Sequence, residues 1–542
     1  MSVLSFPRLH FRGFMEWDPG LTNNSGSHYD PVLVEVILPP GVTHEQFKRW
    51  IIENDFGNWN VYGTHRTAFV QRGDKVSVVT GGSREPARLV TDDPIVGARL
   101  RLDGRLVDLD PRGLASQIFF DSFSIVGERE YLRASRHVRM HSRWITFTRN
   151  LGGLPIAGGA GVVWQTVFPN GSFALDSKGS ALLASFEDAL ARPEVRGLML
   201  RFSTYRTLYF QNGIFNSIRQ QPRSITELHG LYQQRETFSN PAYSVVVGTV
   251  GLWLHGEPMT MPSGRLLVPT PSRRPVAPAV AEFDRTRGLL SIDLGNTIPE
   301  RDRTLEKADY GTLTILAGDV PVATLRPEDY GRSAYETRAG IVDVDTGGRD
   351  IATEPLTVTS SADGTTLLQE SEFNVVSDAK NIYLDEGDRW PVTWRVLHRG
   401  VQAPAGTMVV PFVFPESSKS IRIEPSDPVP IDGEGTATFY LSAVAPGFVD
   451  VAIMAFANGT PVPSRAFDLT SGFFLSARAL PFDDALAEIS DAELRWELVY
   501  ERVLRVFDLT SPVMGTPMVG LPLADPGIWT LPNMAARLKA AT

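Results

Sequence analysis

The chain has 542 residues, 42% hydrophobic and 21% charged, enough for about two to four domains with sizeable cores. With 52 Lys and Arg against 62 Asp and Glu, the formal charge is −10, which disfavours a binder of nucleic-acid backbones. Cysteine is absent, so disulfides, thiolate nucleophiles, iron–sulfur clusters and thiolate-held zinc or heme are excluded.

The opening, Met1 to Gly13, sets apolar Leu4, Phe6, Leu9 and Phe11 against Arg8, His10 and Arg12, which reads as a strand with one buried face. The same charges interrupt any signal-peptide core, and no run approaches the ~20 apolar residues of a membrane span. The expectation is a cytoplasmic protein with no membrane or nucleic-acid partner. Short β-type runs follow at Val32–Leu38, Val76–Thr80, Gly197–Phe202, Ser244–Leu254, Leu289–Leu294 and Gly311–Leu316, parted by turns such as Gly81-Gly82 and Asp103-Gly104. Two helices are expected within this background. Thr43 to Asn54 carries a Thr43-x-x-Gln46 capping box and apolar Phe47, Trp50 and Ile51. Ser180 to Ala191 spaces Leu182, Leu183, Phe186 and Leu190 on one face, and Pro193 ends it. The proline-rich stretch Thr270 to Pro278 reads as a loop whose Arg273 and Arg274 are either solvated or in contact with an anion.

From about Thr353 to Leu475 short strands recur at regular spacing: Val392–Leu397, Thr407–Val413, Ser420–Ile423, Gly435–Leu441 and Phe448–Phe456. Ile431 to Leu441 resembles the late hairpin of bacterial immunoglobulin-like domains. A third helix follows, capped by Ser490-x-x-Glu493, with Leu494, Leu498, Val499, Val503, Val506 and Phe507 on one face and Glu501 four residues before Arg505. The expected fold is mainly β with a few helices. A large barrel-like domain over 1–350 would hold a substrate or cofactor inside, an immunoglobulin-like β-sandwich over 351–478 would be scaffold, and a C-terminal helix and tail would fill 479–542.

Several segments carry a family resemblance in order along the chain. They are the opening thirteen residues, Gly97 to Leu100, Gln117 to Phe119, His141-Ser-Arg-Trp144, Val250 to Trp253 with Gly256-Glu257, Gly264 to Leu267, Gly340 to Asp343, and Ser377 to Leu384. Together they resemble the large enzymes that couple two tryptophan-derived imines on the violacein and rebeccamycin (chromopyrrolate) pathways. That resemblance implies a small aromatic or amino-acid-derived substrate and oxidative coupling, and it brings heme b as a cofactor. The chain departs from the family in lacking a Glu-x-x-His motif of the ferritin-like helical module that follows in those enzymes. It looks like their N-terminal half standing alone.

Nine histidines are the candidate strong ligands, with tyrosine behind them. His28 and Asp30 share one side of a strand start, which suits a general base, and a His-x-Asp stands at the matching place in the family. A turn histidine bonded to local backbone is the plain alternative. His137 and His141 have the spacing of two ligands on a helix face, but Arg133, Arg136, Arg139 and Arg143 surround them. That charge suits a carboxylate or a heme propionate, with a plain basic loop as the alternative. Of this group, His141, Arg143 and Trp144 match the family. Arg201 and Tyr205 have the spacing with which heme catalases keep a phenolate ligand ionised; an ordinary half-buried tyrosine is the alternative. Trp253 and Arg265 would make an aromatic wall and a carboxylate clamp, against a core tryptophan and a surface arginine.

No phosphate-binding loop, His-Glu-x-x-His, Gly-x-Ser-x-Gly elbow or dinucleotide fingerprint is present. Three readings remain. The first is a bacterial specialised-metabolism enzyme, with or without heme, that oxidises, couples or cyclises an aromatic amino-acid-derived intermediate. The second is a cofactor-free cyclase with a shaped β-cavity. The third is a non-catalytic scaffold for a separate ferritin-like partner.

Overall fold

The computed structural model describes residues 3–18, 28–30, 32–54, 69–70, 75–82, 90–107, 117–146, 161–210, 239–271, 276–301, 306–463, 473–490, 492–510, 512 and 522–530. Its first unit is an antiparallel sheet of eleven strands whose long members are Arg8–Asp18, Lys75–Gly82, Arg99–Val107, Gln117–Val126, Glu130–His141, Gly161–Pro169, Val195–Phe210 and Ser239–Leu254. Alternation along these strands sends one set of side chains inward. Phe11, Phe120, Phe123, Trp164, Phe168 and Phe202 fill the inside, with the Phe123 and Phe168 ring centroids 4.8 Å apart. Gly248 leaves the space these rings need: a Cβ there would fall 2.3 Å from Phe11 Cζ. The helix Ala181–Leu190, capped by Ser180, packs Leu182, Leu183 and Phe186 into the same core. The described interior of the barrel is therefore packed with side chains rather than shaped as a ligand chamber.

The opposite face of the barrel wall is polar in one band. His10, Thr249 and Arg201 lie side by side across three strands, and His10 Nδ1 sits 3.0 Å from Thr249 Oγ1. A second antiparallel sheet of eight strands, spanning Arg265 to Glu370, answers this band with Asp343 to Arg8 (2.6 Å) and Asp293 to Arg201 (3.2 Å). Leu356–Ser360 and Thr366–Glu370 are strands of this second sheet, so the sandwich expected from residue 351 begins instead at Phe373. The reason is their pairing with Leu313–Ala317 and Arg265–Pro269, which strand spacing alone does not reveal.

The sandwich has two five-stranded sheets, and Val392, Trp394, Phe439, Leu441, Val449 and Leu475 lie buried between them. Its expected strands appear as Arg389–His398, Met408–Phe414, Ile421–Glu424, Thr436–Ala443 and Gly447–Phe456. The Thr43–Gln46 capping box is made (2.9 and 3.2 Å), whereas Ser490 Oγ donates to the Glu493 carboxylate (2.7 Å) and the Glu493 N–H goes to the Ser490 carbonyl, so the second box is not formed. The C-terminal helical run nevertheless starts later than expected, at Trp496, and passes through a π-turn at Tyr500–Leu504 before ending at Thr510. Of its expected apolar face, Leu494 and Val503 stay exposed. Among the described residues no helix is long and apolar enough to cross a membrane.

Candidate functional site

The barrel is nearly closed, and a single bent stretch of chain bridges its gap. Strand Glu130–His141 runs beside Gln117–Val126 as far as the pair His141 with Gln117. One residue later the chain has changed neighbours: Arg143 pairs with Val163 and Thr146 with Gly161. One edge of the sheet is thus joined to the other at His141-Ser142-Arg143-Trp144. Trp144 takes a left-handed φ of 46°, a costly conformation for a bulky residue, and its carbonyl accepts Asn296 Nδ2 at 2.9 Å.

Side chains of this seam are buried against the sandwich: His141 is 4% exposed, Ser142 2% and Arg143 3%. Arg143 donates to Thr260 Oγ1 at 3.0 Å, and its guanidinium carbon lies 4.9 Å from the centre of the Phe473 ring. Thr260 is held in turn by Asp378, whose carboxylate accepts the Thr260 N–H at 2.7 Å. Lys380, 4% exposed, donates to the Phe474 carbonyl at 2.8 Å with its ammonium 3.1 Å from the centre of that ring. Arg143 Nη1, His141 Nδ1 and Ser142 Oγ are fully buried and have no partner among the described residues. Buried polar atoms are rarely left so, because each forfeits its hydration.

Positive groups predominate in the seam, with Asp378 and Asp450 opposing them. Burial holds the His141 imidazolium well below its ordinary range, and Arg139, Arg143 and Lys380 push the same way, so the ring is neutral at neutral pH. Burial pushes the Arg143 guanidinium down to about 9, against the pull of Asp378. Lys380 is also held well below its ordinary range, by burial first and by Arg143 next, with Asp450 opposing. Unpartnered polar atoms beside excess positive charge are suited to an anion, and a carboxylate suits a guanidinium nitrogen.

The other expected site residues lie elsewhere. His28, at a φ of 58°, is exposed and sets its ring edge-on to Phe47 at 5.8 Å. Asp30 accepts the N–H groups of Val32 (2.8 Å) and Leu33 (3.0 Å), which keep its carboxyl below the usual carboxylate range. No hydrogen bond joins His28 to Asp30 among the described residues. The run Val32–Leu38, expected as a strand, is mostly this turn, with only Glu35–Val36 paired. His137 lies on a strand, not a helix, so four residues place it about 13 Å from His141; its side chain is outside the described residues.

Arg201 and Tyr205 sit within the long strand Val195–Phe210, again about 13 Å apart. Arg201 is bound by Gln165 Oε1 (2.8 Å) and Asp293, and the side chain of Tyr205 is outside the described residues. Trp253 donates to the Glu257 carbonyl at 2.9 Å. Arg265 is buried and bidentate to Glu370 (2.8 and 2.7 Å), with the Ile351 carbonyl on its Nη1 and the Glu354 carbonyl sharing its Nη2. It is a structural ion pair rather than a surface arginine or an open clamp. His65, His229, Arg273 and Arg274 are outside the described residues.

Among the described residues no group of three or more His, Asp or Glu could hold a metal ion. A heme needs an axial ligand facing an apolar slot. His141 faces cations instead, and His10, the other buried histidine described, is bonded to Thr249.

No family model matches the chain. A 2-imino-3-(indol-3-yl)propanoate dimerase of Chromobacterium violaceum is 24% identical over 588 residues, covering 96% of this chain. The chain spans 53% of that relative's length, about half. Among solved structures, the D00–D0 domain of intimin aligns with 41% of this chain and 99% of its own at 15% identity, with a TM-score of 0.16. Domains 4 and 5 of the S-layer protein SbsC align with 23% of this chain and 65% of their own at 10% identity, with a TM-score of 0.14. Likeness at those scores carries no argument about fold or function. By sequence, along nearly its whole length, the chain resembles the N-terminal half of the violacein- and rebeccamycin-pathway imine-dimer synthases.

Proposed function

We propose that this chain serves the biosynthesis of a specialised metabolite, and that the barrel seam binds the carboxylate of an aromatic, amino-acid-derived 2-imino or 2-oxo acid. The observation that carries the reading is the unpartnered, buried Nη1 of Arg143 beside the unpartnered Nδ1 of His141 and Oγ of Ser142. The relative's name supplies the class of acid: a 2-imino acid with an indole side chain. In this reading Arg143 takes the carboxylate, the His141 ring and Ser142 hydroxyl complete its hydrogen bonds, and nearby aromatic side chains border the bound molecule. A carboxylate there offsets the positive charge that burial otherwise makes costly.

Indole-3-pyruvate, the 2-oxo counterpart of that imine, is the probe. Titration followed by intrinsic fluorescence is expected to saturate with the intact chain. In Arg143→Met the affinity falls at least tenfold with folding unchanged. Equal binding by wild type and Arg143→Met overturns the reading, and no binding at all moves the choice to the scaffold for a ferritin-like partner. An absorption spectrum of protein made with heme precursor checks the rival: a Soret band that shifts in His141→Ala would mean that His141 ligates heme rather than borders a carboxylate.

A further inference from the structure

Two lysines are buried in the described parts of this protein, and their surroundings differ. Lys307, 6% exposed, places its ammonium 2.8 Å from Glu300 Oε1 and also donates to the Ile298 carbonyl at 3.1 Å. Lys380 has no carboxylate within ion-pair distance among the described residues; a single carbonyl, that of Phe474, receives it. Burial first and Arg143 next disfavour its ammonium, outweighing Asp450, which favours it. The Phe474 ring and carbonyl are its close contacts, with no counter-ion among them, so the free amine, which is the nucleophilic form, is favoured. Lys380 is also fixed in place. Its carbonyl accepts the Ser476 N–H at 2.6 Å, and it stands one residue before the strand Asn381–Asp385, which pairs in parallel with Phe474–Leu480.

We infer that Lys380 is a covalent site, at which the amine forms a Schiff base with C2 of the acid whose carboxylate Arg143 holds. The inference rests on the carboxylate reading of the seam. The chemistry is an exchange without oxidation. The Lys380 nitrogen adds to C2 of a 2-imino acid, a proton passes from that nitrogen to the departing one, and ammonia leaves as the C=N bond to lysine forms. With a 2-oxo acid, water leaves instead. His141, kept neutral by the cations around it, is the base within the seam that can carry the proton. Such a linkage would hold a reactive imine in place while its side chain and C3 remain free for a following step.

Trapping with sodium cyanoborohydride tests this. The full chain is incubated with indole-3-pyruvate and reductant, then weighed intact and mapped by peptide mass spectrometry. One reduced adduct per chain, located at Lys380, is expected. It should disappear in Lys380→Arg and fall at least tenfold in Arg143→Met. Lys380→Met serves where arginine does not fit, since both variants lack the primary amine, and circular dichroism confirms folding. Adducts confined to exposed lysines, or an unchanged adduct in both Lys380 variants, overturn the inference. Saturable fluorescence binding without any adduct also overturns it while leaving the carboxylate site standing. Absence of binding and adduct together removes both.

Discussion

Arg265 and Lys307 in the second sheet, and Arg143 and Lys380 at the barrel seam, are all buried basic side chains, yet only the first two lie in ion-pair contact with carboxylates. Arg265 is bidentate to Glu370, and Lys307 lies 2.8 Å from Glu300. The seam cations are met by hydroxyls, carbonyls and aromatic faces instead. Buried charge that is paired explains itself as structure: each partner offsets the other's lost hydration. Buried charge that is left over has a cost with no structural return, and such costs collect where a protein binds something. The contrast, rather than any one residue, marks the seam as the working part of the molecule.

The largest effect expected from breaking this comparison lies on the paired side. Glu370→Ala leaves Arg265 buried and alone, and also strips the acceptor from the Leu356 N–H (2.7 Å). The expected loss is about 3–5 kcal/mol, read as a lower denaturant midpoint. An unchanged midpoint would show that pairing is not what stabilises the second sheet. Next in size is the sister comparison of the two lysines. Lys307→Met strands Glu300 and should cost a few kcal/mol, whereas Lys380→Met removes a buried amine that has no counter-ion and should be neutral or raise stability by about 1 kcal/mol. Opposite signs sharpen the distinction between regions; equal losses would dissolve it. At Arg143→Met the two readouts should separate, with affinity for indole-3-pyruvate falling at least tenfold while stability moves by no more than about 1 kcal/mol.

How far the sequence announced these regions follows from the range of the interactions involved. Thr436–Ala443 alternates buried and open positions, and Ser180 and Thr43 cap their helices locally, so those elements were legible. Val32–Leu38 misleads because an apolar run does not specify strand pairing; Asp30 ties up two of its N–H groups, and Val32 and Leu33 end up exposed. His141 was singled out with His137 for a spacing that implied a helix, and Arg143 and Trp144 for charge and family resemblance; the structure makes His141 to Trp144 the bend that bridges a nearly closed barrel. Arg265 finds Glu370 across 105 residues, which no local pattern reports. Lys380 went unnoticed inside Ser377 to Leu384 because a lone lysine in a mixed segment reads as solvated. Its significance comes from what it lacks in space.

The smallest expected effect is a slope in pH. His141 is held neutral in the folded chain, while the same ring in the unfolded chain takes a proton near pH 6.5. As pH falls below about 6.5 the unfolded state binds a proton that the folded state refuses, so folding stability drops, by at most about 1.4 kcal/mol per pH unit for one group. His10 behaves alike, depressed by burial and by Arg8 and Arg338, so two groups contribute in the window just below about pH 6.5. His141→Gln should therefore remove about half of the slope of the denaturation midpoint in that window and leave the neutral-pH value little changed. A bound carboxylate should do the same by a different route. Placed among Arg139, Arg143 and Lys380, it offsets the charge that excludes the proton from His141. Saturating indole-3-pyruvate should thus flatten the wild-type slope and leave the His141→Gln slope where it was. A ligand that flattened both equally would be acting at His10 or elsewhere, and the seam would lose its claim to the anion.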